Sequence, residues 1–185
     1  MTVSASENHM RHAGIERALG LAGLTVLVGV VVALALPSVS ASSPTAETAS
    51  VAQVKIFMAQ GNMSNRCDRV VAVKRSVRKP WLLAGAMRAL LAGPTAAEKT
   101  AGYRSWFSAK TKGMLRSVRI AGGIAYIDFQ DFSRVIPNAS TSCGSGLLLA
   151  QLNRTARQFP TVKQAIFSFS GSRDAFYNWL QMDAP

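Results

Sequence analysis

Leu115 to Phe129 reads LRSVRIAGGIAYIDF. Two apolar runs, Met114 to Ile120 and Ile124 to Phe129, flank Ala121-Gly122-Gly123. Two successive glycines supply the positive φ of a tight antiparallel hairpin, so this stretch predicts a pair of neighbouring strands. Upstream, Val51 to Ala59 (VAQVKIFMA) sets Val54, Ile56 and Met58 on one face against Lys55 and Phe57, the period of a strand. Arg69 to Arg78 (RVVAVKRSVR) is β-branched and reads as a second strand, broken by Lys79-Pro80. From Trp81 to Ala92, Leu83, Met87, Leu90 and Leu91 recur at helical spacing, with Pro80 at the start and Gly93-Pro94 at the stop. Thr95 and Glu98 have capping-box spacing, which predicts a short helical turn before Gly102.

Downstream, a helix starting at Ser145 or Gly146 lines Leu148, Leu152, Ala156 and Phe159 along one face and stops at Pro160. Lys163 to Ser170 alternates Ala165, Phe167 and Phe169 with Ile166 and Ser168, a last strand. Ser172 caps a terminal helix that turns Phe176, Trp179 and Leu180 inward. The order β, β, α, β, β, α, β, α predicts an α+β fold, with one mixed sheet carrying two main helices on one face.

Ahead of this domain, Ala18 to Leu36 runs for nineteen residues without a charge. That is close to the roughly 20 residues that cross a bilayer as a helix. Arg11 and Arg17 precede the run and no charge follows until Glu47, the asymmetry of a chain whose N-terminus stays in the cytoplasm. The run reads as a transmembrane signal anchor, or as a signal peptide cleaved near Val39-Ser40-Ala41. The expected organisation is a cytoplasmic segment 1–17, the apolar helix 18–36, a flexible tether 37–50 and an extracytoplasmic domain 51–185. No cysteine lies in or just after the run, so lipoprotein modification is not available there.

The chain carries 21 Lys and Arg against 9 Asp and Glu, a net charge of +12. Without residues 1–41 it keeps 19 basic and 7 acidic residues. Such a surface attracts polyanions. Outside a membrane these are anionic lipid headgroups, phosphate-bearing wall polymers or acidic envelope proteins, and nucleic acid is not expected. A generally basic, soluble face with no specific ligand is the alternative. Both histidines, His9 and His12, precede the apolar run, so the domain has no imidazole for catalysis or metal binding. Cys67 and Cys143 are the only cysteines and both fall in the exported part, where an oxidising compartment permits a disulfide. Two free thiols are the other reading.

Several residues carry sharper chemistry. Ser76-Val-Arg-Lys79 has the spacing of a serine hydrolase whose lysine activates the hydroxyl, but it lies at a strand end, where the two side chains need not converge. Asp128 and Asp131 offer oxygens to a cation, against a simple role capping a turn, and calcium wants more anionic ligands. Gly144-Ser145-Gly146 reads as a helix cap, since it lacks the lysine of a phosphate-binding loop. Trp106 and Phe107 sit among Arg104, Lys110 and Lys112, an aromatic-basic loop suited to an anionic surface. The opposing reading makes the two rings a satellite of the core. No catalytic, cofactor or metal residues are assigned, and no cofactor is expected.

Ala89 to Gly102 (ALLAGPTAAEKTAG), Leu115 to Phe129 and Gln151 to Gly171 (QLNRTARQFPTVKQAIFSFSG) together resemble the sporulation and germination GerMN domain. VKIFMA and VVAVKRSV extend the resemblance over nearly all of Val51 to Gly171. It implies a non-enzymatic extracytoplasmic envelope module, binding or scaffolding proteins or envelope polymer, with a fold similar to ring-building motifs. Here the copy is single. An accessory subunit or Ser/Lys hydrolase acting on wall polymer is the alternative.

Overall fold

In a computed structural model the described residues are 50–61, 67, 69–136 and 138–185. The apolar run Ala18 to Leu36, the tether to residue 49 and both histidines lie outside them. Among the described residues no helix is long and apolar enough to cross a membrane. Thr45–Pro185 forms one compact unit with its own core, so it meets the condition for folding without residues 1–44.

The chain runs β1 (Val51–Gln60), β2 (Val71–Arg78), α1 (Leu82–Leu91), α2 (Ala96–Thr100), β3 (Tyr103–Arg104), β4 (Leu115–Ala121), β5 (Ile124–Phe129), α3 (Ser142–Ala156), β6 (Gln164–Phe169) and α4 (Arg173–Trp179). This is α+β, as the sequence predicts. Gly122 and Gly123 turn the β4–β5 hairpin with φ of 57° and 80°. Val54, Ile56 and Met58 are buried on β1, and Ala125, Ile127 and Phe129 on β5. Ala165, Phe167 and Phe169 are buried on β6, so the period-two reading holds in all three strands.

The expectation of a single sheet is corrected. Two three-stranded sheets form, β2-β1-β3 and β4-β5-β6, with β5 and β6 parallel. The reason lies at the edge of β1 that faces away from β2. There the Lys55 N–H donates to Gln158 Oε1 (2.7 Å), Gln158 Nε2 donates back to the Lys55 carbonyl (2.5 Å), and the Phe57 N–H donates to Thr155 Oγ1 (3.1 Å). Side chains from the end of α3 therefore satisfy the main-chain groups that a further strand would have taken. Only Ala59 and Gln60 find a strand partner on that side, the two-residue β3, which the sequence reading missed. The expected pair of main helices is present: α1 and α3 pack on each other and both on β1, while α4 packs on β6. A parallel β5–β6 pair needs a crossover, and α3 provides it.

Helix α3 starts at Ser142, before the expected Ser145 or Gly146, because Thr141 is the N-cap and its Oγ1 accepts from Gly144 N–H (3.1 Å). Gly144-Ser145-Gly146 is thus the first turn of the helix and not its cap. Phe159 lies past the helix end, half-buried.

The LLxGPTxxE stretch is explained by packing. Gly93 has φ +73°, and a Cβ there would sit 2.4 Å from the Phe107 carbonyl oxygen, so only glycine lets α1 end against that backbone. Thr95 and Glu98 form the predicted capping box, and Glu98 also accepts both guanidinium N–H groups of Arg75 on β2. The Glu98 side chain is 15% exposed, and the hydrogen bonds from Arg75 hold its carboxyl below the ordinary carboxylate value.

Candidate functional site

The aromatic-basic loop departs from the expected contact surface in its aromatic half. Phe107 is 1% exposed and meets Phe132 edge-on at 5.8 Å, so its ring belongs to the core. Trp106 is half-buried against the same core, and its indole N–H is buried without a partner. The Phe107 ring is enclosed by the core and is not available to a surface, while Trp106 is only partly covered by it. Thr111 in the same loop is fully buried, its hydroxyl donating to the Leu91 carbonyl (2.7 Å). What remains outward is cationic: Arg104, Lys110 and Lys112 are exposed, with Arg104 also donating to the Lys99 carbonyl (2.9 Å).

Cys67 and Cys143 are joined in a disulfide with a Cα–Cα distance of 4.4 Å. It fixes the segment after β1 to the first turn of α3.

Ser76 and Lys79 do not converge as a hydrolase pair. Ser76 lies on the exposed face of β2 with its hydroxyl accepting from Gln53 Nε2 (2.7 Å), and Lys79 follows the strand. The serine is thus held in a cross-strand bond and not on a helical turn beside the lysine. Asp128 also has structural partners. One oxygen accepts from Ser168 Oγ (2.7 Å) and from Gly171 N–H (2.8 Å), the other pairs with Arg116 (2.9 Å), so it ties β4, β5 and the turn after β6. Asp131 accepts from Ser133 N–H (2.8 Å) and caps the turn after β5. Among the described residues there is no cluster of three or more His, Cys, Asp or Glu side chains that fits a metal ion.

A second basic site emerges where α3 passes β1. Phe57, Ala150, Asn153, Arg154, Arg157 and Gln158 line an open cleft of about 490 Å³. Arg154 lies in the last turn of α3, Arg157 is its C-cap three residues on, and Gln158 follows the helix end. Lys55 lies on the same face of β1 as Phe57. None of the lining residues is acidic, and among the described ion pairs neither arginine takes part. Two guanidinium forks beside an amide and an aromatic face have the donor geometry to hold phosphate or carboxylate. The sequence reading missed this cleft. NRTARQ shows both arginines at helical spacing, but nothing local announces that β1 lies alongside.

The search of curated proteins gives no match. Among solved structures the chain is similar to the tandem GerMN domains of the sporulation protein GerM from Bacillus subtilis, at 16% identity, with a TM-score of 0.47 over 66% of this chain. It spans 40% of that chain. It is also similar to the first GerMN domain of the same protein, at 16% identity and a TM-score of 0.42, over 65% of this chain and 84% of that one. Residues 55–174 match the family model described as Germane, sporulation and spore germination, and that segment runs from within β1 to the first residues of α4. The chain belongs to the Germane family.

Proposed function

We propose that this protein is a non-enzymatic binding and scaffold module of the bacterial envelope, held on the outer face of the cell membrane by Ala18 to Leu36 and engaging an anionic polymer or acidic envelope protein. The observation that carries the reading is the Arg154–Arg157 cleft, an open basic site with no acidic lining residue on a strongly cationic domain. Its cations are free to be neutralised by a ligand, whereas Arg75 and Arg116 are already committed to Glu98 and Asp128. Membership of a sporulation and germination family agrees with an envelope role.

The test is retention of residues 42–185 on wall polymer bearing phosphodiester groups, against the same polymer stripped of phosphate. Retention on the first alone is expected, and equal retention on both contradicts the reading. A reporter active only outside the cytoplasm, fused after Pro185, reads the location. It should be active, and an inactive fusion at normal expression would overturn the envelope assignment.

A further inference from the structure

One end of the domain combines exposed apolar surface with positive charge that, among the described residues, meets no carboxylate. Trp81 is 72% exposed and Ile120 43% exposed, and with Val118 and Phe159 they line an apolar groove of about 360 Å³. A tryptophan left this far in water forgoes about 25 cal/mol for each Å² of its apolar area, a cost that a partner surface removes.

The strands and helices converge on this end with consistent polarity. β1 begins here, β2 and α3 finish here, and the β4–β5 turn lies beside the start of β6, where Lys163 N–H donates to the Gly123 carbonyl (2.7 Å). Arg78 and Lys79 immediately precede Pro80 and Trp81 of the lining, and Lys163 follows Thr161 of the lining by two residues, with its side chain beside Gly123. Among the described residues the carboxylates lie elsewhere. Asp128 is at the far end of β5 from the Gly122–Gly123 turn, Asp131 follows it, and Glu98 is bound to Arg75. Asp174 lies in the first turn of α4, beyond the far end of β6, and Asp183 follows Leu180, whose carbonyl accepts from Ser145 Oγ (2.7 Å) near the opposite end of α3. Ser145 and Ala156 are eleven residues apart on α3, which puts that bond about 17 Å from the end of the helix that precedes Phe159.

The chain also enters the domain at this end, since Lys79 N–H donates to the Ser50 carbonyl (2.8 Å).

We propose that this end, centred on Trp81 and Ile120 and flanked by Arg78, Lys79 and Lys163, lies against an anionic lipid surface. The indole is amphipathic and suits the headgroup layer, and the cations meet lipid phosphates. The proposal goes beyond the reading of Ala18 to Leu36 as a span and stands apart from it, and it moves the lipid contact away from Arg104, Lys110 and Lys112.

The test uses residues 42–185 with vesicles of phosphatidylcholine alone or mixed with phosphatidylglycerol. Binding to the mixed vesicles only is expected, with tryptophan fluorescence quenched by brominated acyl chains. Trp81→Ser with Ile120→Ser should weaken it about tenfold and abolish quenching, and Arg78→Glu with Lys79→Glu should weaken it about as much. All four residues are exposed, so unchanged melting temperatures are the control. No binding by the parent domain, or binding that both variants retain, overturns the proposal. Self-association that the Trp81 and Ile120 substitutions abolish, without vesicle binding, gives this surface to a second copy instead. Alkaline extraction of the full chain separates the two readings. Release from membranes, with vesicle binding intact, removes the span and leaves this surface standing; retention without vesicle binding does the reverse.

Discussion

Both ends of the Gln158 side-chain amide are hydrogen-bonded to the main chain of Lys55, its oxygen accepting from the N–H and its nitrogen donating to the carbonyl. The pair is 103 residues apart in sequence, yet Gln158 takes the place of a β-strand neighbour. This bond closes the edge of the first sheet and brings Arg154 and Arg157 beside Phe57. Gln158→Ala should therefore destabilise the domain by about 1–3 kcal/mol, since it leaves two strand groups without partners. Chemical denaturation of residues 42–185 measures this, and a loss near zero would mean that water replaces the amide at no cost.

The ion pair of Arg75 and Glu98 makes stability depend on acid. The Glu98 carboxyl titrates below its ordinary value of 4.5, first because of the hydrogen bonds from Arg75. A carboxyl held low in the folded state binds its proton more readily when unfolded, so its contribution is present above the unfolded value and is lost as pH falls through the folded one. Thermal melts from neutral pH to below pH 4.5 should show this loss in the parent and not in Glu98→Gln. At neutral pH the variant should be less stable by about 1–3 kcal/mol.

Gly93→Ala should be among the most damaging single changes outside the buried core. It places a methyl 2.4 Å from the Phe107 carbonyl oxygen and forces a side chain onto φ +73°. A loss of about 2–4 kcal/mol is expected. Gly102→Ala provides the comparison, since it has similar φ and open space around it. The second should cost less, by calorimetry of both.

Much of this architecture is legible from local pattern. The Ala121-Gly122-Gly123 turn, the alternation in β5 and β6, the apolar stripe of α1 and the Thr95–Glu98 cap all depend on neighbours within a few residues. The division into two sheets is not legible in this way, because it depends on Thr155 and Gln158 reaching β1 from across the chain. The same long-range packing hides the Arg154–Arg157 cleft. Trp106-Phe107 leaves two readings open in the sequence, a surface loop and a satellite of the core, and the buried Phe107–Phe132 contact puts Phe107 in the core. The start of α3 was obscured by glycines, whose poor helix propensity is outweighed by the Thr141 cap.

Reduction of the Cys67–Cys143 disulfide should lower stability by about 4–5 kcal/mol, the entropy of opening a loop of this length. The two cysteines are 76 residues apart. Cys67→Ser with Cys143→Ser should reproduce the loss, and reductant should then have no further effect. A melting temperature indifferent to both would show that the bridge does not constrain the unfolded chain.

The most direct test is a salt titration of polyphosphate binding by residues 42–185, comparing Arg154→Glu with Arg157→Glu against Lys110→Glu with Lys112→Glu. Both pairs are exposed and remove the same charge, so overall electrostatics are matched. The account predicts that reversing the arginines weakens binding about tenfold or more and flattens its salt dependence, while reversing the lysines has a smaller effect. Equal losses from the two pairs would mean that general charge, and not the cleft between α3 and β1, holds the anion.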